Sequence, residues 1–147
     1  MARFSTVGSM ALIAAKTVLS VIASTSVMPK VYDIVLSSSS TPNDYSAQFK
    51  FQRFSADGTA TAVTPQKLDF NGAAAVATSK HTYTAEPTLT ANEILLQLAH
   101  NQRATTRWVA APGSELIIPA LAGDGLALLC SAVSTQFTED ATIFFEE

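Results

Sequence analysis

Charge is scarce in this sequence. Lys, Arg, Asp and Glu together make up 14% of its 147 residues, against about 25% in an ordinary soluble domain. The net charge is −3 and the nine basic residues are scattered. No basic stripe interleaved with aromatics can track a phosphate backbone, so nucleic acid is not an expected partner. There is one cysteine, Cys130, so no intrachain disulfide forms and the composition carries no mark of an oxidising compartment. Cys130 sits in G-L-A-L-L-C-S-A and reads as a small buried apolar residue, with no base nearby in sequence to activate it. There are two histidines, His81 and His100, held apart by most of a strand–loop–strand unit. A zinc or iron site needs three or four converging ligands, so no metal is expected.

The chemistry of acids and nucleophiles is equally thin. Asp44, Asp57 and Asp124 are single turn residues without the D-x-D-x-D spacing that gathers oxygens around calcium. Glu139-Asp140 and Glu146-Glu147 are the acidic pairs. Strand neighbours point to opposite faces, the wrong geometry for paired-carboxylate hydrolysis. G-x-S-x-G, G-x-G-x-x-G and the phosphate-binding G-x-x-x-x-G-K-[ST] are all missing. The expectation is a protein with no catalytic residues and no cofactor. Long apolar runs are missing too. In the N-terminal region the longest uninterrupted one, Met10 to Ala15, is too short for a signal peptide or a membrane span, so no membrane association is expected. Residues 1–15 read as an extended N-terminal arm, leading into a single domain over 16–147 that is long enough to bury one core.

What the chain does contain is apolar alternation. Hydrophobic residues are 48% of the chain and mean hydropathy is +0.24, a composition that fits a surface partly covered by partners. Period two dominates. In K-V-Y-D-I-V-L-S, Tyr32, Ile34 and Leu36 share one face and Val31, Asp33 and Val35 the other. In A-Q-F-K-F-Q-R-F, Phe49 and Phe51 alternate with polar residues, and Phe54 falls out of phase as a β-bulge produces. Asp57-Gly58 predicts a hairpin into a return strand over 59–64. Ala73 to Thr78 has room for one helical turn. Further strands are expected at 81–84, 92–100, 103–109, 115–118, 126–132 and 140–146, with turns at Pro112-Gly113 and Gly123-Asp124-Gly125 and an exposed loop at 37–44. Many short strands between turns at this spacing predict an all-β antiparallel β-sandwich. Trp108, inside an alternating strand, is expected in the core or in an interface rather than under a sugar.

K-V-Y-D-I-V-L-S-S-S-S-T-P-N-D, F-Q-R-F-S-A-D-G-T-A-T-A-V-T-P-Q-K-L-D and A-E-P-T-L-T-A-N-E-I-L-L-Q-L-A-H-N-Q-R-A-T-T-R-W-V-A-A-P-G-S-E-L-I-I-P-A together resemble small structural proteins of tailed bacteriophages. The resemblance covers the chain from about Lys30 to Glu147 and rests on turn and strand patterns. It implies a jelly-roll capsid decoration, or cement, protein, non-enzymatic and homo-oligomeric, with a trimer favoured over a dimer. Such a protein is made in the host cytoplasm, sits on the outer surface of the head and takes the major capsid protein as partner. The contact residues expected on this reading are Phe4, Val7, Met10, Leu12 and Ile13 of the arm, together with Trp108. A head- or tail-fibre domain binding host-surface glycans is the alternative, with exposed loop-tip aromatics as its signature. A β-sandwich enzyme is the third possibility, lacking any ligand or triad set.

Overall fold

A computed structural model describes all 147 residues. The chain forms twelve strands and no helix: β1 (Arg3–Ala11), β2 (Lys16–Ile22), β3 (Lys30–Ser38), β4 (Ser46–Ala56), β5 (Thr59–Val63), β6 (Gln66–Lys67), β7 (Thr78–Ala85), β8 (Thr88–Asn101), β9 (Thr106–Val109), β10 (Leu116–Ile117), β11 (Gly125–Val133) and β12 (Thr138–Glu146). They make two antiparallel sheets packed face to face. The first runs β10-β3-β12-β1-β6, with β9 also on the free side of β3; the second runs β5-β7-β2-β11-β4-β8. The fold is thus an all-β antiparallel sandwich.

Alternation builds the interior. From β12 come Ala141, Ile143 and Phe145, from β11 Leu126, Leu128 and Cys130, and from β4 Phe49 and Phe51, all within one core cluster of 21 buried residues. Each inward side chain of a strand is two residues from the next, so each strand sends one face into the cluster and keeps the other outside.

Residues 1–15 are not an arm. Arg3–Ala11 pairs residue for residue with Thr138–Glu146, from Arg3 opposite Glu146 to Ala11 opposite Thr138. Phe4, Thr6 and Gly8 point inward and are buried, while Arg3, Val7 and Ser9 point out. The ladder of a nine-residue strand satisfies backbone groups that a free arm would leave to water. The domain therefore spans the whole chain.

Three local expectations also change. Asp57-Gly58 does not close a hairpin: β5 pairs with β7 at the far edge of the sheet from β4. Gly58 is needed there for a close approach, since a Cβ would stand 2.1 Å from the Ala85 carbonyl oxygen. In β3 the pairing with β12 skips Tyr32, so Val31 joins Ile34 and Leu36 in the core and Tyr32 turns outward against Phe144. Residues 73–78 form no helical turn and lead into β7. The phase break before Phe54 is present as register shifts between β4 and β8. Phe54 lands on the outer side of its sheet with Ile22 and Ala127, in a small second cluster.

Candidate functional site

The six residues expected to make contacts are not one patch. Phe4 and Leu12 are buried in the core, and the Phe4 ring stacks on Phe145 at 5.5 Å between centroids. Met10 and Trp108 are half-buried and pack against the core. Only Val7, 56% exposed on the outer face of β1, and Ile13, 51% exposed in the β1–β2 turn, are open to a partner. The correction has one cause. Alternation places Phe4 on the inner face of a paired strand, and Leu12 extends that ladder through its amide to the Phe137 carbonyl.

His100 lies near the end of β8 and points inward. Its side chain is 1% exposed and its Nε2 lies 3.0 Å from Oε2 of Glu139, which is 0% exposed. Nδ1 lies 3.2 Å from the Ala104 carbonyl, so the network assigns the Nδ1 hydrogen as donor to that oxygen. The rings of Phe49 and Phe137 flank the imidazole at 5.7 and 6.2 Å. The second carboxylate oxygen, Glu139 Oε1, is buried without a hydrogen-bond partner. Burial alone would lower the His100 pKa; the hydrogen bond and charge of Glu139, with the Ala104 carbonyl, outweigh it and the net direction is up. Glu139 is also raised, by burial first, with His100 opposing and Asp140 adding. Both directions describe one proton shared between Nε2 and Oε2. The pair ties β8 of one sheet to β12 of the other.

Cys130 points into the same interior, and its thiol is pushed up to about 11, by burial and then by the Glu139 charge. A thiol so placed stays protonated and is a poor nucleophile. His81 lies on β7 and hydrogen-bonds its neighbour Thr82 through Nδ1.

A second polar cluster lies where the β4–β5 and β7–β8 connections meet over the side of β2 opposite Leu19 and Val21. The Tyr83 hydroxyl is 2.7 Å from Ser20 Oγ and donates to Asp57 Oδ1 at 3.0 Å. Asp57 also accepts from the Gly58 amide and pairs with Lys80. Glu86 accepts from the Thr17 amide and pairs with Lys16. Ser, Tyr and Lys in proximity invite comparison with a nucleophile and its base. Here burial raises the Tyr83 pKa, and Asp57 opposes its ionisation. The phenol is held as a donor, and Ser20 is fully buried, so the cluster clamps the crossing connections rather than activating an oxygen. Asp57, expected as a turn acid, instead sits on a connection between sheet edges and holds Gly58, Tyr83 and Lys80 together.

Three of the exposed apolar residues that sequence reading missed are on the segment between β6 and β7. Phe70 is 88% exposed, with Leu68 and Val76 about half exposed on the same loop. The loop is braced: Asp69 caps the Asn71 amide and its carbonyl accepts from Gly72, while the Glu147 carboxylate takes the amides of Val76 and Ala77. Lys67 stands 5.9 Å from the centre of the Phe70 ring. Between residues 1–3 and this loop lies an open cleft of about 500 Å³. The only sequence signal was Asn71-Gly72, which marks a turn but says nothing of which side chains it displays. Comparison of the chain with protein-family models, with curated proteins and with solved structures returns no match.

Proposed function

We propose that this protein is a capsid decoration protein: a non-enzymatic, homo-oligomeric jelly-roll subunit that binds the major capsid protein on the outer surface of a tailed-phage head and stabilises the shell. One observation carries the reading. Eleven large hydrophobic side chains are exposed on a chain that is only 14% charged, and Phe70 with Leu68 is presented on a loop already held in shape. A braced apolar knob loses little conformational entropy on docking. Burying each such side chain yields about 1.5–3 kcal/mol, and many copies on one shell multiply modest contacts into tight occupancy.

Phe70 also meets the signature of the glycan-binding alternative, an aromatic on a loop. The same loop also exposes Leu68 and Val76, apolar surface that favours a protein partner over sugar hydroxyls.

Quantitative mass spectrometry of purified virions tests the proposal. Copy numbers comparable to the major capsid protein are expected; a few copies per particle would favour the fibre reading instead. The double variant Leu68→Ser/Phe70→Ser should fold normally and bind heads at least about 100-fold more weakly, from the loss of two buried side chains. Unchanged binding by that variant overturns the assignment of the loop.

A further inference from the structure

The two flanks of the sandwich differ in how they end. Of the strands with a free edge, β5 has five residues, β6 two, β9 four and β10 two, and β1 is unpaired on its β6 side only beyond Ser5, whereas β8 has fourteen residues. It pairs only with β4, so its other edge presents unpaired backbone donors and acceptors. Long edges are normally blunted by charge, proline or bulges. In T-L-T-A-N-E-I-L-L-Q-L-A-H-N the one charged residue is Glu93, turned to Arg53, and there is no proline. The register shifts against β4 fall in its first half; from Leu96 opposite Phe51 to Asn101 opposite Ser46 the ladder is regular. On that regular stretch Leu96 and Leu98 face the core yet are only half-covered. Trp108 of β9 is half-buried too. The first sheet is stacked with β1 over β2 and β7, which puts its opposite edge, β9, on the same flank as β8.

We propose that a second copy of this chain covers this flank, pairing β8 with β8 antiparallel about a twofold axis near Leu98. Opposite residues on an antiparallel pair share a face. A centre at Leu98 therefore sets Leu98 against Leu98 and Leu96 against His100 on the inner side, with Gln97 against Ala99 on the outer. No like charges meet in this register, and Leu98 gains the second copy's Leu98 directly opposite, with Leu96 diagonally beside it. The short free edge of β5, T-A-T-A-V, offers only small side chains to the same leucines. It would moreover join copies head to tail, which leaves the contact open. Self-pairing closes on two copies, so the isolated protein is a dimer, in place of the trimer that the resemblance to phage proteins favours. The pairing is independent of the capsid reading, since it needs no other component.

Light scattering on the purified full-length chain, without heads or other proteins, is expected to return twice the chain mass of 15.5 kDa. Gln97→Lys/Ala99→Lys sets like charges opposite each other across the axis and is expected to give a folded monomer. The single tryptophan reports the same event, its emission moving to the red on dissociation. Should the double variant fail to fold, hydrogen exchange of the wild type decides. The amides of Leu96 to Asn101 that do not bond to β4 should then be as protected as those of β4 in the dimer and exchange faster on dilution. A wild type that stays monomeric, a trimer or filament, a dimer indifferent to the two lysines, or a dimer with unprotected β8 amides overturns the proposal.

Discussion

Raising the pH should destabilise this protein through the His100–Glu139 pair, and the size of the effect follows from counting protons. In the native state the imidazole keeps its Nδ1 hydrogen on the Ala104 carbonyl and shares a second proton with Glu139 across 3.0 Å. The native pair therefore holds two protons, whichever atom carries the shared one. In the unfolded chain the carboxyl ionises near the ordinary 4.5 and the imidazole loses its extra proton near 6.5. Between those values the unfolded chain also holds two, and stability is flat with respect to this pair. Above 6.5 the unfolded chain holds one proton fewer than the native state. Because the native pKa of His100 is raised, stability then falls as pH rises, by up to about 1.4 kcal/mol per pH unit, until the buried pair itself gives up its proton. The full slope is reached only about one pH unit above 6.5, where the unfolded imidazole is almost wholly deprotonated, and the decline stops where the native pair gives up its proton. Cys130, pushed from the ordinary 9.0 up to about 11, stays neutral in the native state and adds to the decline only as the pH approaches 9. Urea unfolding at half-unit steps from pH 5.5 to 9, on the wild type and Glu139→Gln, makes the measurement. The glutamine keeps the shape and removes the shared proton, so its profile should lack the decline and the variant should gain on the wild type as pH rises. Parallel profiles for the two proteins would refute the shared-proton account.

Three further perturbations probe other parts of the fold. Gly125→Ala should cost about 1–3 kcal/mol or more by overpacking: a Cβ there stands 2.1 Å from the Phe54 ring and 2.6 Å from the Val21 carbonyl oxygen, and an unchanged melting temperature would contradict that packing. Tyr83→Phe removes the hydroxyl between Ser20 and Asp57; a loss of about 1–2 kcal/mol in urea unfolding is expected from the unmade bonds, and a neutral result would mean that the clamp over β2 contributes nothing. Cys130, fully buried with its thiol pushed up to about 11, should react with an aromatic disulfide only as fast as the protein unfolds. Rapid stoichiometric labelling under native conditions would show that the sandwich opens at this point.

Period two was sufficient to find most strands and to sort their faces. It even contained the buried pair: Glu139 is in phase with Ala141, Ile143 and Phe145, and His100 with Leu96 and Leu98. Following those phases one step further would have placed both inside. The first strand was hidden because its inward set, Phe4, Thr6 and Gly8, shrinks from an aromatic ring to nothing. Gly8 must be small, since a Cβ would meet the Cβ of His81 at 2.9 Å. That constraint comes from a strand seventy residues away and leaves no local trace. Pairing was the other blind spot. Asp57-Gly58 has hairpin chemistry, but the partner of β5 is β7, chosen by the clamp of Tyr83, Asp57 and Lys80 over β2. The contact surface was illegible for a related reason. Phe70, Leu68 and Val76 look in sequence like any loop hydrophobics, and their display depends on Glu147 reaching back to residues 76 and 77.

The two ends of the chain are laced together: Ala2 and Glu147 exchange both backbone hydrogen bonds at 3.1 Å, above the full ladder of β1 on β12. During synthesis, residues 3–11 leave the ribosome well before residues 138–146, and until those follow their pairing is limited to Phe4 and Ser5 against Lys67 and Gln66. At about 5–20 residues per second, the strand that carries Phe4 waits on the order of ten seconds with its edges open. Sheets closed by such distant contacts are also slow to form once the chain is complete. A nascent chain of this kind is exposed to aggregation, or to chaperones, until residues 138–146 emerge. The same lacing makes residues 2 and 147 a natural place to join the ends and cut elsewhere. A permuted chain opened in the exposed 39–44 loop would place the β1–β12 pair in its middle and let that ladder form early.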